Sequence, residues 1–285
     1  MKLGDLFNYC VDSLRKAGLP TPKTDSELII SDVLNIRRFE IYVRGDLEID
    51  DDQLEKVLSF IERRKEFEPL EYILGYKYFW GMKFRVKEGV LIPRFETESL
   101  IEFIKNTCRN INYILDIGTG TGILGITLKK IFPNAYVVMT DISDVSLEVC
   151  RYNISSLLGE IEGVELIKSD IFDNIWEEIG WGKFDLIVSN PPYISERDYV
   201  FLPKDVKKEP YIALYGGILG MDFYIKIANR VRDFLSSRGR VILEVGDEEQ
   251  AEKVKRIFRL KRFRNFVTFR DINNLVRGVA AINFG

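Results

Sequence analysis

Histidine is absent from all 285 residues of this chain. That absence excludes zinc sites built on imidazole, Ser-His-Asp and Cys-His catalysis, and any histidine general base. Cysteine is scarce. Cys10, Cys108 and Cys150 are scattered with no pair at metal-ligand spacing, and they read as small buried hydrophobes in a reducing compartment. No run is long and apolar enough to span a bilayer, and Asp5 and Asp12 interrupt the N-terminal apolar positions in a way no signal peptide does. A soluble cytoplasmic protein is expected. Nor is there an excess of positive charge: the net charge of −3 argues against a surface that wraps nucleic acid. The local exception is residues 253–264, where Lys253, Lys255, Arg256 and Arg259 are followed by further basic side chains. This stretch reads first as the solvated face of a late helix, and second as a surface for an acidic partner or RNA.

What is present divides along the chain. Residues 1–75 carry apolar positions at helical spacing, such as Leu3, Leu6, Phe7, Cys10, Val11 and Leu14, with breaks at residues 18–22 and 44–52. Helices are expected over residues 26–34 and 52–65, the latter capped by Asp51 or Asp52. Residues 76–95 alternate, contain Gly81 and Gly89, and read as a β-hairpin linker. Residues 96–285 begin with a helix and then alternate strands and helices, the pattern of a doubly wound sheet. Its last two strands, residues 266–269 and 276–284, have too little chain between them for a crossover helix and must pair antiparallel.

Three successive strand ends carry chemistry. The apolar run to Ile117 opens into Gly118-Thr119-Gly120-Thr121-Gly122 and then an amphipathic helix from Ile123. Such a loop lets backbone approach a ligand and aims helix N-terminal N–H groups at it. Gly120, Gly122 and Gly125 match the dinucleotide pattern, but the proper register starts at Gly118, where Ile123 stands in place of the third glycine. Asp141 ends the next strand and can accept both hydroxyls of a ribose. Asp170 and Ile171 end the third, where a carboxylate and an apolar side chain can flank an adenine. A lone acidic residue at a strand end is more often a turn former or helix cap; the ordered series is harder to explain that way.

The fourth strand, residues 184–188, runs into Asn190-Pro191-Pro192-Tyr193. The Asn190 side-chain carbonyl and the Pro191 backbone carbonyl are two acceptors suited to a planar –NH2, with Tyr193 as a flat apolar wall. A glutamine amide and an exocyclic base nitrogen both present such a group.

The order of Asp116 and its glycine loop, Asp141, Asp170 and Asn190–Tyr193 resembles class I S-adenosylmethionine-dependent methyltransferases acting on planar nitrogen. Nearly end to end, the chain is similar to the HemK/PrmC family of release factor N5-glutamine methyltransferases. Residues 68–75 with Phe79-Trp80-Gly81, residues 91–98 (Leu-Ile-Pro-Arg-Phe-Glu-Thr-Glu), residues 214–217 and 220–224, residues 244–246 with Gln250, and residues 271–277 carry the likeness. Phe95 replaces the middle proline of that family's Pro-Arg-Pro-Glu-Thr-Glu segment.

The resemblance implies an α/β fold. A class I methyltransferase (Rossmann-like) sheet with a terminal antiparallel strand pair would follow a small N-terminal helical bundle that recognises the substrate. It implies S-adenosylmethionine as cofactor, held by residues 118–122, Asp141, Asp170, Ile171 and Asn190. It also implies catalysis and substrate binding by Asn190, Pro191, Pro192 and Tyr193, no metal, and a release factor as the protein partner. Asp116 either meets the cofactor's ammonium or fixes the loop. An adenine-N6 or guanine-N2 methyltransferase is the alternative, and a non-catalytic nucleotide-binding module or an NAD-dependent oxidoreductase fits the residues less well.

Overall fold

The computed structural model describes residues 1–160, 162–176 and 184–282. The chain divides into two units, one comprising Met1–Tyr76 with Pro203–Lys208, the other Lys77–Leu202 with Glu209–Gly285.

The first unit is helical. Helix α1 (Leu3–Lys16) buries Leu3, Leu6, Cys10, Val11 and Leu14, a stripe at helical spacing. Helix α2 (Pro22–Leu34) starts earlier than the sequence suggests, because Pro22 supplies the preset φ of a first helical residue, and it ends at Asn35 in the left-handed conformation. A short α3 (Glu40–Val43) precedes α4 (Asp51–Lys65). The cap of α4 is Asp50, whose side chain accepts from Gln53 N, and not Asp51 or Asp52, which occupy the first turn. Helix α5 (Leu70–Leu74) completes the bundle, whose core is Leu3, Leu6, Leu14, Ile29, Ile30, Ile41, Val57 and Ile61.

One ion in this core decides where another segment goes. Arg64 is almost fully buried and donates to Asp25 at 2.8 Å, to the Glu68 carbonyl at 3.0 Å and to Asp205 at 3.2 Å. A buried guanidinium needs such multiple partners to offset its lost hydration. Asp205 therefore places residues 203–208 in the helical unit, and Lys204 adds a cation–π contact over Phe67.

The chain then forms a two-stranded hairpin, β1 (Tyr76–Phe79) and β2 (Met82–Arg85), turning at Trp80 and Gly81. A short 3-10 turn (Phe95–Thr97) leads into α6 (Glu98–Thr107). Then follow β3 (Tyr113–Ile117), α7 (Ile123–Ile131), β4 (Tyr136–Asp141), α8 (Asp144–Leu158), β5 (Val164–Lys168) and β6 (Phe184–Ser189). After two short helices, α9 (Glu196–Tyr199) and α10 (Tyr211–Leu214), come α11 (Asp222–Phe234), β7 (Leu235–Glu244), α12 (Glu248–Leu260), β8 (Asn265–Arg270) and β9 (Val276–Ile282). Asn283 and Phe284, expected in the last strand, lie outside the described residues.

The large sheet has the order β5-β4-β3-β6-β7-β9-β8. β3 pairs in parallel with β4 and β6, β6 with β7, while β9 runs antiparallel to both β7 and β8. Period-2 alternation sends Leu115, Ile117, Val138 and Ile187 to one core, and Ile114, Val137, Met139, Leu186 and Val188 to the other. Both faces are covered, as parallel strands require. The chain steps outward from β3 to β5, then returns to start the other half at β6. β3 and β6 are therefore neighbours at the point where strand order reverses, the place where open α/β sheets bind ligands beyond their carboxyl ends.

Candidate active site

A cavity of about 220 Å3 lies beyond those strand ends. Its lining includes Gly118, Thr119, Gly120, Thr121, Asp141, Asp170, Ile171, Asn190, Pro191 and Pro192, so the ends of β3, β4, β5 and β6 all contribute. Hydrogen bonds lock the ends together. Ser189 Oγ donates to Ile117 O at 2.6 Å, and Thr119 N donates to Thr140 O at 2.8 Å.

The glycine loop is shaped by a buried carboxylate. Asp116 Oδ2 accepts from Thr119 Oγ1 at 2.6 Å and from Gly125 N at 2.9 Å, so Asp116 fixes the loop and the first turn of α7. Burial pushes its carboxyl up to about 7, against those two hydrogen bonds, and its other oxygen has no partner. Gly118 and Gly120 have positive φ and open space where a Cβ would stand, which leaves backbone facing the cavity. Gly122 does not line the cavity. A Cβ there would meet Cys150 Sγ and Ile126 Cδ1 at 2.8 Å, so this glycine, at φ +87°, serves packing at the start of α7. Gly125, the third glycine of the apparent dinucleotide pattern, is also a packing residue: a Cβ would fall 2.4 Å from Met139 on β4.

Asp141 is positioned by backbone donors. Its two oxygens accept from Gly120 N and Ser143 N, each at 2.9 Å. Burial raises its carboxyl above the ordinary aspartate value, and these N–H groups oppose the rise. Asp170 stands 4.0 Å from Lys226 Nζ, which also lines the cavity. Ile171 holds φ +57°, a strained conformation for a β-branched residue, and it lines the cavity.

At the end of β6, Asn190 Nδ2 donates to the buried Thr97 hydroxyl at 3.4 Å. Tyr193 does not join Asn190, Pro191 and Pro192 in the lining. Its ring packs toward Gly246, where a Cβ would lie 3.3 Å from it, and burial pushes the phenol up. The apolar wall expected from Tyr193 is thus not built this way; Ile212, Ala213 and Phe223 supply apolar surface at the cavity. The turn that redirects Tyr193 is held from behind. Gln250 Nε2 donates to Tyr193 O and Gly220 O, both at 3.0 Å, while Gly246 N donates to Gln250 Oε1 at 2.8 Å. Gly216 and Gly220 approach so closely that a Cβ on either would strike the backbone of Pro192 or Tyr193. Arg277, paired with Asp271 at 2.8 Å, donates to Gly246 O. Segments 214–224, 244–250 and 271–277, matched by resemblance only, therefore brace the Asn190–Tyr193 turn.

Sequence reasoning assigned no role to three contributors, Arg94, Glu209 and Thr97. Arg94 and Glu209 form an ion pair at 2.5 Å, and the nearly buried Glu209 also accepts from Ile92 N at 3.0 Å, fixing the segment that carries Leu91 and Pro93 to the cavity. Thr97, whose hydroxyl accepts from Asn190, was hinted at only by the matched segment 91–98. The basic stretch at residues 253–264 is in part internally compensated on α12, by Lys253–Glu249 at 2.7 Å and Lys255–Glu252 at 2.6 Å. Among the described residues, no group of side chains could hold a metal ion, and no helix is long and apolar enough to cross a membrane.

The parallel sheet with its antiparallel end and the cavity at the reversal point define a class I methyltransferase. A methyltransferase from Pyrococcus furiosus shares the fold, with a TM-score of 0.54 at 21% identity over 82% of this chain and 98% of that one. Residues 5–75 match the model of the PrmC N-terminal domain, and residues 95–202 match the methyltransferase small domain. The release factor glutamine methyltransferase of Clostridium botulinum is 35% identical over 285 residues, covering 99% of each chain. That of Fusobacterium nucleatum is 34% identical, over 97% of this chain and 78% of its own length. The chain belongs to the release factor glutamine methyltransferase family.

Proposed function

We propose that this protein transfers the methyl group of S-adenosylmethionine to the side-chain amide nitrogen (N5) of the glutamine in the Gly-Gly-Gln motif of peptide-chain release factors. The observation that carries the reading is the pairing, in one cavity, of an open glycine backbone and Asp141 with the acceptors of Asn190 and Pro191. The full-length relatives named for release factors support a protein substrate over a nucleobase.

The residues present fit the cofactor. Gly118 and Gly120 offer bare backbone, which suits its methionine part and ribose. Asp141 would accept the ribose hydroxyls, and Asp170 and Ile171 would flank the adenine. When bound, S-adenosylmethionine supplies a methyl already activated on a sulfonium. The remaining problem is the nucleophile, because an amide nitrogen delocalises its lone pair into the carbonyl. Asn190 Oδ1 and the Pro191 carbonyl would accept the two N–H bonds of the substrate, orient the nitrogen, and stabilise the positive charge that grows on it. No general base is needed, since the surplus proton becomes acidic once nitrogen carries the charge and can leave to water. That suits a chain without histidine.

The helical unit would grip the release factor away from the loop that carries the glutamine, and the reaction is expected in the cytoplasm, where release factors act. Incubation with labelled S-adenosylmethionine and a release factor, followed by mapping of the label, tests the reading. Label on nucleic acid alone, in parallel reactions with DNA and rRNA, would transfer the same chemistry to a base nitrogen.

A further inference from the structure

Lys226 on α11 lines the cavity, and the chemistry proposed above makes no use of it. Among the described residues only one other cation lines the cavity, Arg94, whose charge is met by Glu209. Lys226 Nζ stands 4.0 Å from Asp170 Oδ2 and 5.4 Å from the centre of the Phe223 ring. Asp170 and Phe223 line the same cavity. At 4.0 Å the ammonium and the carboxylate attract each other without a hydrogen bond. Neither side chain hydrogen-bonds to another group among the described residues.

A pair this exposed, 57% and 45% by side chain, adds little to the stability of the fold. It does place one strong donor and one strong acceptor side by side at the cavity. Adenine carries the complementary pattern. Its exocyclic amine donates, and the ring nitrogens on either side of that amine, N1 on one edge and N7 on the other, accept. Asp170 alone would satisfy the amine only, and its carboxylate would lose water in doing so. With Lys226 beside it, the same edge gains a charge-assisted bond to a ring nitrogen, and the carboxylate keeps a counter-charge as the base displaces its water.

We infer that Lys226 is an adenine-recognition residue, donating to a ring nitrogen next to the amine while Asp170 accepts from the amine itself. The inference rests on the proposed binding of S-adenosylmethionine with its adenine at Asp170 and Ile171.

Calorimetry with S-adenosylhomocysteine tests it without turnover. Lys226→Met keeps an apolar stem beside Phe223 and removes the ammonium, at a position exposed enough to leave the fold in place. It should weaken binding about tenfold or more, and Lys226→Arg should recover most of the loss. The 1-deaza and 7-deaza analogues of the ligand each lack one of the two ring acceptors. One of them should bind wild type about tenfold more weakly than the parent does, and Lys226→Met should bind that analogue as well as wild type does, because the missing bond is the same. Wild-type affinity for the parent in Lys226→Met, or an equal loss with all three ligands, overturns the inference. Failure of the underlying reading looks different: wild type would bind no S-adenosylhomocysteine, or Asp170→Ala would leave its affinity unchanged.

Discussion

Gln250 holds Tyr193 by its backbone: the Gln250 amide nitrogen donates to the Tyr193 carbonyl at 3.0 Å from 57 residues further along the chain. The same nitrogen holds Gly220 O, and the amide oxygen accepts from Gly246 N, so one side chain ties three turns together. Gln250→Ala would leave three backbone groups unsatisfied behind the Asn190–Tyr193 turn. A loss of about 1–3 kcal/mol in unfolding free energy is expected, with kcat reduced more than cofactor affinity. Denaturant unfolding together with steady-state kinetics checks both parts.

Asp141 presents a carboxylate held by two N–H groups to the cavity. Asp141→Ala is expected to weaken S-adenosylmethionine binding by about 1.5–3 kcal/mol, the usual value of hydrogen bonds to a charged group. Isothermal calorimetry reads this directly, and unchanged affinity would show that the ribose is held elsewhere.

Gly125 lies under α7 against Met139, whereas Gly118 faces open space. Gly125→Ala should therefore destabilise the fold by about 1–3 kcal/mol through overpacking. Gly118→Ala, at φ +68°, should cost about 1–2 kcal/mol of backbone strain and should weaken cofactor binding as well. Melting temperatures with and without cofactor separate the two effects.

Asp116 and Glu244 both have carboxyls pushed up to about 7 by burial. In the unfolded chain they ionise near 4, so between about pH 4 and 7 the folded state holds protons that the unfolded state has released. Their contribution to stability is present below pH 4 and is lost as pH rises through about 7. Glu27, beside Arg38 and Tyr42, and Asp271, beside Arg277, have lowered values and give the opposite slope in acid. Unfolding free energies from pH 5 to 8 should decline less steeply in Glu244→Gln than in wild type. Identical slopes would contradict the assignment.

The parts of the site that were legible in the sequence are those in which a strand runs directly into its functional residue. Ile117 into Gly118, Thr140 into Asp141, and Ser189 into Asn190 each follow from a period-2 apolar run with a sharp end. The helix cap at Asp50 was not, because three consecutive aspartates cap equally well on composition and only the backbone turn selects one. Tyr193 was misread as a cavity wall because its direction depends on Gly216, Gly220 and Gln250, none of them near it in sequence. The joining of residues 203–208 to the helical unit depends on Arg64 meeting Asp205 across 141 positions, which no local pattern encodes. Thr97 was invisible as a partner of Asn190 for the same reason.

The account turns on Asn190. Wild type and Asn190→Ala should be incubated with labelled S-adenosylmethionine and a release factor, and the modified residue located by mass spectrometry. The expected result is label on the glutamine of the Gly-Gly-Gln motif, with kcat lower by roughly 10²- to 10³-fold in Asn190→Ala and cofactor affinity largely kept. Label transferred at the wild-type rate by Asn190→Ala, or a glutamine left unmodified by wild type, would contradict it.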